Sequence, residues 1–348
     1  MVSDMMQQLA AWSAVSFLAV FLCSCDRVQP SEDKHLDLSK ARERQDKVPM
    51  DKSGQWYTRL KTAMDMADRE KGHEQNYLKA LNDVAALYAE GLQNGLVHKL
   101  DVRSWCDSVA ETGSGYSGET VIGAMFLYGT GIKRDAAMAK EWFEYGVERA
   151  GSQRGNALYM LGLMYFKGDG TEQSNNKALE LWYKAVDEKH PASMGLLGRA
   201  YMEGKLGLDK DVESGLALLQ RAANSGNVPS SVYLGKIYAK GEGVEQNMKM
   251  SMKWYEQAAS GGDAHSQYIV GLAYLEGAGV DLNESKAFNW FQLAAGQDHV
   301  NAMLMLSVCY STGKGTIQNA DLAEVWKQKA VKLNAEREKK AISLPTER

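Results

Sequence analysis

Residues 270–280 read VGLAYLEGAGV, and residues 286–295 read KAFNWFQLAA. In the first segment Tyr274 is followed three residues later by Gly277 and then by Gly279. In the second, Ala287, Trp290, Ala294 and Ala295 place small and large apolar residues at helical spacing. Moving along the chain in steps of about one such block finds the same pattern again. Tyr165, Tyr201, Tyr238, Tyr274 and Tyr310 recur at 36 or 37 residues, each with Gly three positions on: Gly168, Gly204, Gly241, Gly277 and Gly313. Phe126 with Gly129 begins the series one step earlier. A second ladder runs Trp142, Trp182, Leu218, Trp254, Trp290 and Trp326, and seven residues before each member stands Asp135, Asn175, Asp211, Asn247, Asn283 or Asn319. A fixed period of this length marks a repeat architecture.

Each period reads as two helices. The first carries a small residue, Leu and the aromatic at i, i+4 and i+8, as in Ala157, Leu161 and Tyr165 or Ser230, Leu234 and Tyr238, so that all three share one face. Glycine after the aromatic takes the left-handed conformation that ends a helix. A short Gly-x-Gly turn then delivers the Asp or Asn as N-cap of the second helix. The buried stripe of that second helix is expected to hold the Trp and the Ala four residues on, Trp254 with Ala258 and Trp290 with Ala294. On this reading Trp290→Ala would cost ~3–5 kcal/mol.

These residues resemble the Sel1-like repeat, a relative of the tetratricopeptide repeat. The resemblance covers about residues 118–335 in six units. A degenerate unit lies at 54–117, where Tyr88, Gly91 and Trp105 hold the ladder positions, His98 holds the cap position, and Trp56 and Tyr57 fit a partial second helix. It implies an all-α fold, a solenoid of stacked helix-turn-helix units winding into an alpha-alpha superhelix. No unit can bury its stripe alone, and the charged run Glu336-Arg337-Glu338-Lys339-Lys340 within 336–348 is the polar end such a stack requires.

Composition narrows the functional classes. The 348 residues carry a net charge of -4, which argues against electrostatic capture of nucleic acid. Four Cys are too few for a disulfide framework or thiolate cage. Cys106 and Cys309 sit beside ladder aromatics and read as small core residues. The histidines at 35, 73, 98, 190, 265 and 299 show no ligand spacing and read as surface or turn residues, so no metal and no cofactor is expected. The Gly-x-Gly pairs recur with every unit without a Walker Lys, and are turns rather than phosphate cradles. No nucleophile and base stand apart from the rest, so neither a catalytic set nor a small-molecule substrate is inferred.

Leu9 to Cys25, LAAWSAVSFLAVFLCSC, is an apolar run short for a bilayer span and suited to a secretory signal, although Asp4 and no basic residue precedes it. A start at Met5 or Met6 would remove Asp4. Its end, Leu22-Cys23-Ser24-Cys25, resembles the lipobox of bacterial lipoproteins. That resemblance implies a signal peptide over 1–24, lipid on Cys25, and a place in the cell envelope on the periplasmic face. Asp26 resembles an inner-membrane retention signal, with the outer membrane as the other destination. Residues 25–53 mix charges without apolar periodicity and read as a disordered tether, holding the body on the order of 30 Å from the bilayer.

The first helices are apolar on a second face, where a partner would bind. Its members are Tyr159, Leu163 and Phe166 in one unit and Tyr268, Leu272 and Leu275 in another, with Arg199, Met202, Lys236 and Leu304 between and beyond them. Two readings of this face stand: a groove that takes a protein or peptide, or packing against the unit's own second helix. The resemblance implies a non-enzymatic adaptor or scaffold for a protein partner in the envelope. The alternatives are a hydrolase of cell-wall or β-lactam turnover and a secreted host-interacting factor.

Overall fold

The computed structural model describes residues 54–70, 74–111, 118–130, 132–148 and 154–343. The signal segment, Cys25 and the tether lie outside them. Fifteen helices and no strand are found among the described residues. In chain order they are α1 (Gly54–Arg69), α2 (Glu74–Gln93), α3 (Lys99–Glu111), α4 (Gly118–Tyr128), α5 (Ala136–Glu148), α6 (Arg154–Lys167), α7 (Asn175–Asp187), α8 (Pro191–Glu203), α9 (Val212–Asn224), α10 (Val228–Lys240), α11 (Met248–Ser260), α12 (Ala264–Glu276), α13 (Glu284–Gly296), α14 (Val300–Thr312) and α15 (Ala320–Ser343). The all-α class follows, as the periodicity predicts. Two compact units divide at Met194 and Gly195.

Every first helix from α4 to α14 ends in the same closed turn. Gly241, Gly277 and Gly313 take φ of 73°, 74° and 76° as left-handed C-caps. The chain then returns so that the amide of the next cap donates to the carbonyl of the ladder aromatic. Asp135 bonds to Phe126, Ser174 to Tyr165, Asp211 to Tyr201, Asn247 to Tyr238, Asn283 to Tyr274 and Asn319 to Tyr310, all at 2.7–3.0 Å. The cap side chain meanwhile accepts from the amide three residues on: 2.9 Å for Asp135 with Met138, Asn247 with Met250, Asn283 with Lys286 and Asn319 with Leu322, and 3.1 Å for Asp211 with Ser214. Two otherwise orphaned backbone groups are satisfied by one residue.

In three of the Gly-x-Gly turns the second glycine serves the stack, whereas a β-carbon on Gly243 would meet only the side chains of Met202 and Val212, at 3.3 Å or more. A β-carbon on Gly279 would stand 2.7 Å from the carbonyl oxygen of Met248, and one on Gly170 would stand 2.9 Å from that of Ala136; Gly315 meets Glu284 in the same way. Met248, Ala136 and Glu284 each open the second helix of the preceding repeat. Backbone therefore rests on backbone between repeats at a position that only glycine leaves open.

The cap of α7 is Ser174, whose hydroxyl accepts from the amide of Lys177 at 3.3 Å; Asn175 is the first helical residue. This corrects the expected cap, and the same slip moves the Trp ladder. The residue that closes on the first helix is Phe143, Trp182, Leu219, Tyr255 and Phe291, all 7% exposed or less. Each faces a glycine of its own repeat: Gly123, Gly162, Gly198, Gly235 and Gly271. Trp142 and Trp254 are buried one position earlier in the helix, but Trp290 and Trp326 are only half-buried. The buried stripe around 290 is therefore Ala287, Phe291 and Ala295, with Trp290 at its edge. Three of the six copies carry aromatics at both positions, whereas the α7 copy reads Leu181-Trp182, so aligning on tryptophan steps across to the neighbouring column.

In the N-terminal unit α1 lies on α2, with Trp56 Nε1 donating to the Leu87 carbonyl at 2.9 Å. The rings of Tyr88 and Trp105, on α2 and α3, stand 5.0 Å apart. At the far end of the other unit the column changes character. Positions equivalent to Met252, Tyr255 and Ala259 in α11, and to Phe288, Phe291 and Ala295 in α13, are Glu324, Lys327 and Val331 in α15, all exposed. With Lys327 in place of a ring, Ser307 replaces the glycine opposite. The stack ends because its last helix presents charge where the earlier second helices present a ring or Leu219.

Candidate protein-binding face

The second face of the first helices divides sharply by repeat. On α6, Tyr159 and Leu163 are buried, and Phe166 is half-buried beside Trp182, ring centroids 5.8 Å apart. Tyr159 lies 5.1 Å from the ring of His190, and its carbonyl accepts from Trp182 Nε1 at 3.2 Å. Burial pushes its phenol well above the ordinary range. Tyr159 and Leu163 are thus core. Their helix has no solvated stripe between its two apolar faces, because α5 and α7 both pack on it and His190 of the turn before α8 lies on Tyr159.

In the unit from Gly195 onward, Met202 is also core, packed with Leu219, Leu234 and Trp254. Tyr268, Leu272 and Leu275 of α12 are half-buried against the cluster of Phe291, Ala302, Met303 and Leu306. Tyr268 sits 4.9 Å from the His299 ring and 6.2 Å from Phe291. One helical position of this face, repeating every 36 or 37 residues, forms a lane in which Lys236 and Val308 are exposed and Arg199 and Leu272 half-buried. Leu304, 40% exposed, and Val308, 44% exposed, extend it on α14.

The lane is polar at its α8 end and apolar at its α14 end. Arg199 stands 3.7 Å from Glu203 and 5.1 Å over the ring of Tyr233. Tyr233 donates its hydroxyl to Glu203 at 3.3 Å, and Lys205 Nζ lies 2.6 Å from the same carboxylate. Burial raises the Glu203 carboxyl, yet the Lys205 bond and the Arg199 charge outweigh it and hold it below the usual range. Burial first and Glu203 second push the Tyr233 phenol up to about 12. Lys236 is exposed with no ion pair among the described residues. Glu203 and Tyr233 escape a reading of the sequence because Glu203 merely precedes the turn glycine and Tyr233 merely precedes Leu234 of the ladder.

Among the described residues no group of three His, Cys, Asp or Glu side chains is placed to hold a metal, and no helix is long and apolar enough to cross a membrane. Cys106 and Cys309 are buried and are not joined in a disulfide. The histidines at 190 and 299 are helix caps rather than loose surface groups. His190 Nδ1 accepts from the Ser193 amide at 3.2 Å and His299 Nδ1 from the Ala302 amide at 3.3 Å.

A family model described as the Sel1 repeat matches residues 119–149, 155–190, 191–227, 229–263, 264–299 and 300–334, more than half of the chain. The chain belongs to the Sel1 repeat family. Among solved structures of Sel1-repeat proteins it is similar to c5321, described as a protective antigen present in uropathogenic Escherichia coli strains. The identity is 26%, the TM-score 0.56, and the match covers 78% of this chain and 56% of that one. A Sel1 repeat protein from Oxalobacter formigenes matches at 26% identity and TM-score 0.53, covering 71% of this chain and 99% of that one. Among curated proteins, 74 residues are 35% identical to HRD3A of Arabidopsis thaliana, an ERAD-associated E3 ubiquitin-protein ligase component; the match spans only 11% of that protein. Sel1 repeats in general scaffold contacts between proteins.

Proposed function

We propose that this Sel1-repeat protein is a non-enzymatic adaptor of the bacterial envelope, held to the membrane by lipid on Cys25 and binding a protein partner along the lane Arg199, Lys236, Leu272 and Val308. One observation carries the binding reading. In the unit from Gly195 the ladder residues are spent on packing and the terminal helix is closed off by charge, while on the second face of the first helices this lane repeats at a fixed position with Lys236 and Val308 exposed and Arg199 and Leu272 half-buried. Its change from cationic to apolar suits an extended segment or helix with an acidic end and an apolar end. The apolar run ending in Leu22-Cys23-Ser24-Cys25 supports the anchor. Tethering partners on one surface would raise their effective concentration without any new contact.

Photocrosslinking in intact cells tests it. A photoreactive residue at 236 or 308 should capture one recurrent protein that the same probe at the exposed position 292 of α13 does not. Capture patterns identical at all three positions would sink the lane. Cys25→Ser should move the protein from the membrane to the soluble fraction, and unchanged membrane retention would remove lipidation from the reading.

A further inference from the structure

The first helices of the last four repeats are capped by His190, Asn227, Asp263 and His299, one per repeat at 36 or 37 residues. In each, a side-chain atom accepts from the amide three residues on: 3.2 Å at Ser193, 3.0 Å at Ser230, 2.7 Å at Ser266 and 3.3 Å at Ala302. Asn227 and Asp263 each keep an acceptor oxygen at any pH, since an amide carbonyl and either form of a carboxyl group can accept. An imidazole keeps one only while neutral, since both ring nitrogens of the imidazolium are donors. We infer that His190 and His299 are acid-sensitive latches on α8 and α14, protonation removing the acceptor that holds the first turn of each helix.

The surroundings favour the neutral ring at both sites. His190 is 8% exposed, stacked on Tyr159 and bonded through Nδ1 to the Ser193 hydroxyl at 2.9 Å. The charged groups around it, Arg154 of α6 and Glu188 after α7, are paired with each other at 3.1 Å, and Lys189 adjoins it in the turn. No carboxylate is spare to hold an imidazolium there, and burial pushes the ring down to about 4. His299 faces His265 at 5.7 Å and Tyr268 at 4.9 Å from α12, with Asp263 capping that helix. From α15, Arg337 donates to the Asp298 carbonyl at 2.9 Å and Lys329 stands 3.6 Å from the Asp298 carboxylate. Burial, then His265 and Arg337, lower the His299 ring against an upward pull from Asp263.

Because the folded chain binds the proton more weakly than the unfolded one, the latches are fully closed above about pH 6.5 and loosen as pH falls below it. For His190, with a folded value of about 4, the opening equilibrium at pH 5 should be roughly 30-fold that at pH 7.5. The two latched helices carry Arg199 and Val308, the two ends of the lane.

Hydrogen exchange on the full chain at pH 7.5 and 5.0, corrected for intrinsic amide rates, decides this. Peptides covering the first turns of α8 and α14 should gain exchange on acidification, by roughly 30-fold at Ser193, while the matching turns of α10 and α12, capped by Asn227 and Asp263, should not. Equal gains in all four helices would overturn the inference. The double substitution His190→Asn and His299→Asp, copying the caps of the intervening repeats, should abolish the difference, and its persistence in the folded variant would overturn it too. Should that variant fail to fold, the comparison within the unaltered chain still decides.

Discussion

Phe291 closes on Gly271 so tightly that a β-carbon there would stand 2.5 Å from the ring, and the same meeting recurs between Tyr255 and Gly235 and between Phe143 and Gly123. A ring of one helix set into the gap left by a missing side chain on the other is what fixes the two helices of a repeat against each other.

Phe291 is fully buried and Trp290 half-buried, so the smaller residue should matter more. Phe291→Ala is expected to cost ~3–5 kcal/mol and Trp290→Ala less than half of that. Urea unfolding of the two variants measures the difference, and equal losses would contradict the packing described.

Ser174 caps α7 although Asn175, a residue of equal capping preference, stands next to it. Ser174→Ala should lower stability by ~1 kcal/mol, and Asn175→Ala should change it by less than about 0.5 kcal/mol. The reverse ranking in thermal melts would restore the register that tryptophan spacing predicts.

That slip marks the limit of what the sequence told. The period, the left-handed glycine and five of the six second-helix caps were readable because each needs one residue type at one place. The choice between adjacent aromatics was not, because Trp290 and Phe291 have equal apolar weight and only the position of Gly271 decides which is buried. A signal was present: Ala178 stands four residues before Trp182, as Ala287 stands four before Phe291 and only three before Trp290. The candidate face was legible as apolar but not as accessible. Tyr159, Leu163 and Met202 obey the same spacing as Lys236 and Leu304, and only the neighbouring helices reveal which of them are covered.

Gly226 and Gly279 both have positive φ, 82° and 77°, but no atom lies within 4 Å of a β-carbon on Gly226 whereas the Met248 carbonyl blocks one on Gly279. Gly226→Ala should cost only the left-handed strain of ~1–2 kcal/mol. Gly279→Ala should cost at least twice as much, since two repeats must also separate. Similar melting temperatures for the two variants would show that the second glycine serves its own turn alone.

Glu324 and Lys327 stand where α11 and α13 carry Met252 with Tyr255 and Phe288 with Phe291. Replacing both, Glu324→Met with Lys327→Phe, would leave an uncovered apolar end. Light scattering should then show concentration-dependent association that the unaltered chain lacks, and a variant that stays as disperse as the parent would argue that α15 does not close the stack.

The bond from the capping amide to the ladder carbonyl spans nine residues in five of the six turns and ten between Tyr201 and Asp211, at 3.0 Å. An added residue is thus swallowed inside the turn, and the helices on either side keep their register. Such a joint tolerates imprecise cutting. A gene segment encoding one whole repeat, lost or duplicated with its ends anywhere between the left-handed glycine and the cap, would still yield a chain whose next amide finds the waiting carbonyl. Lineages of these proteins can therefore change length by whole repeats more readily than they can exchange a single ring in the core.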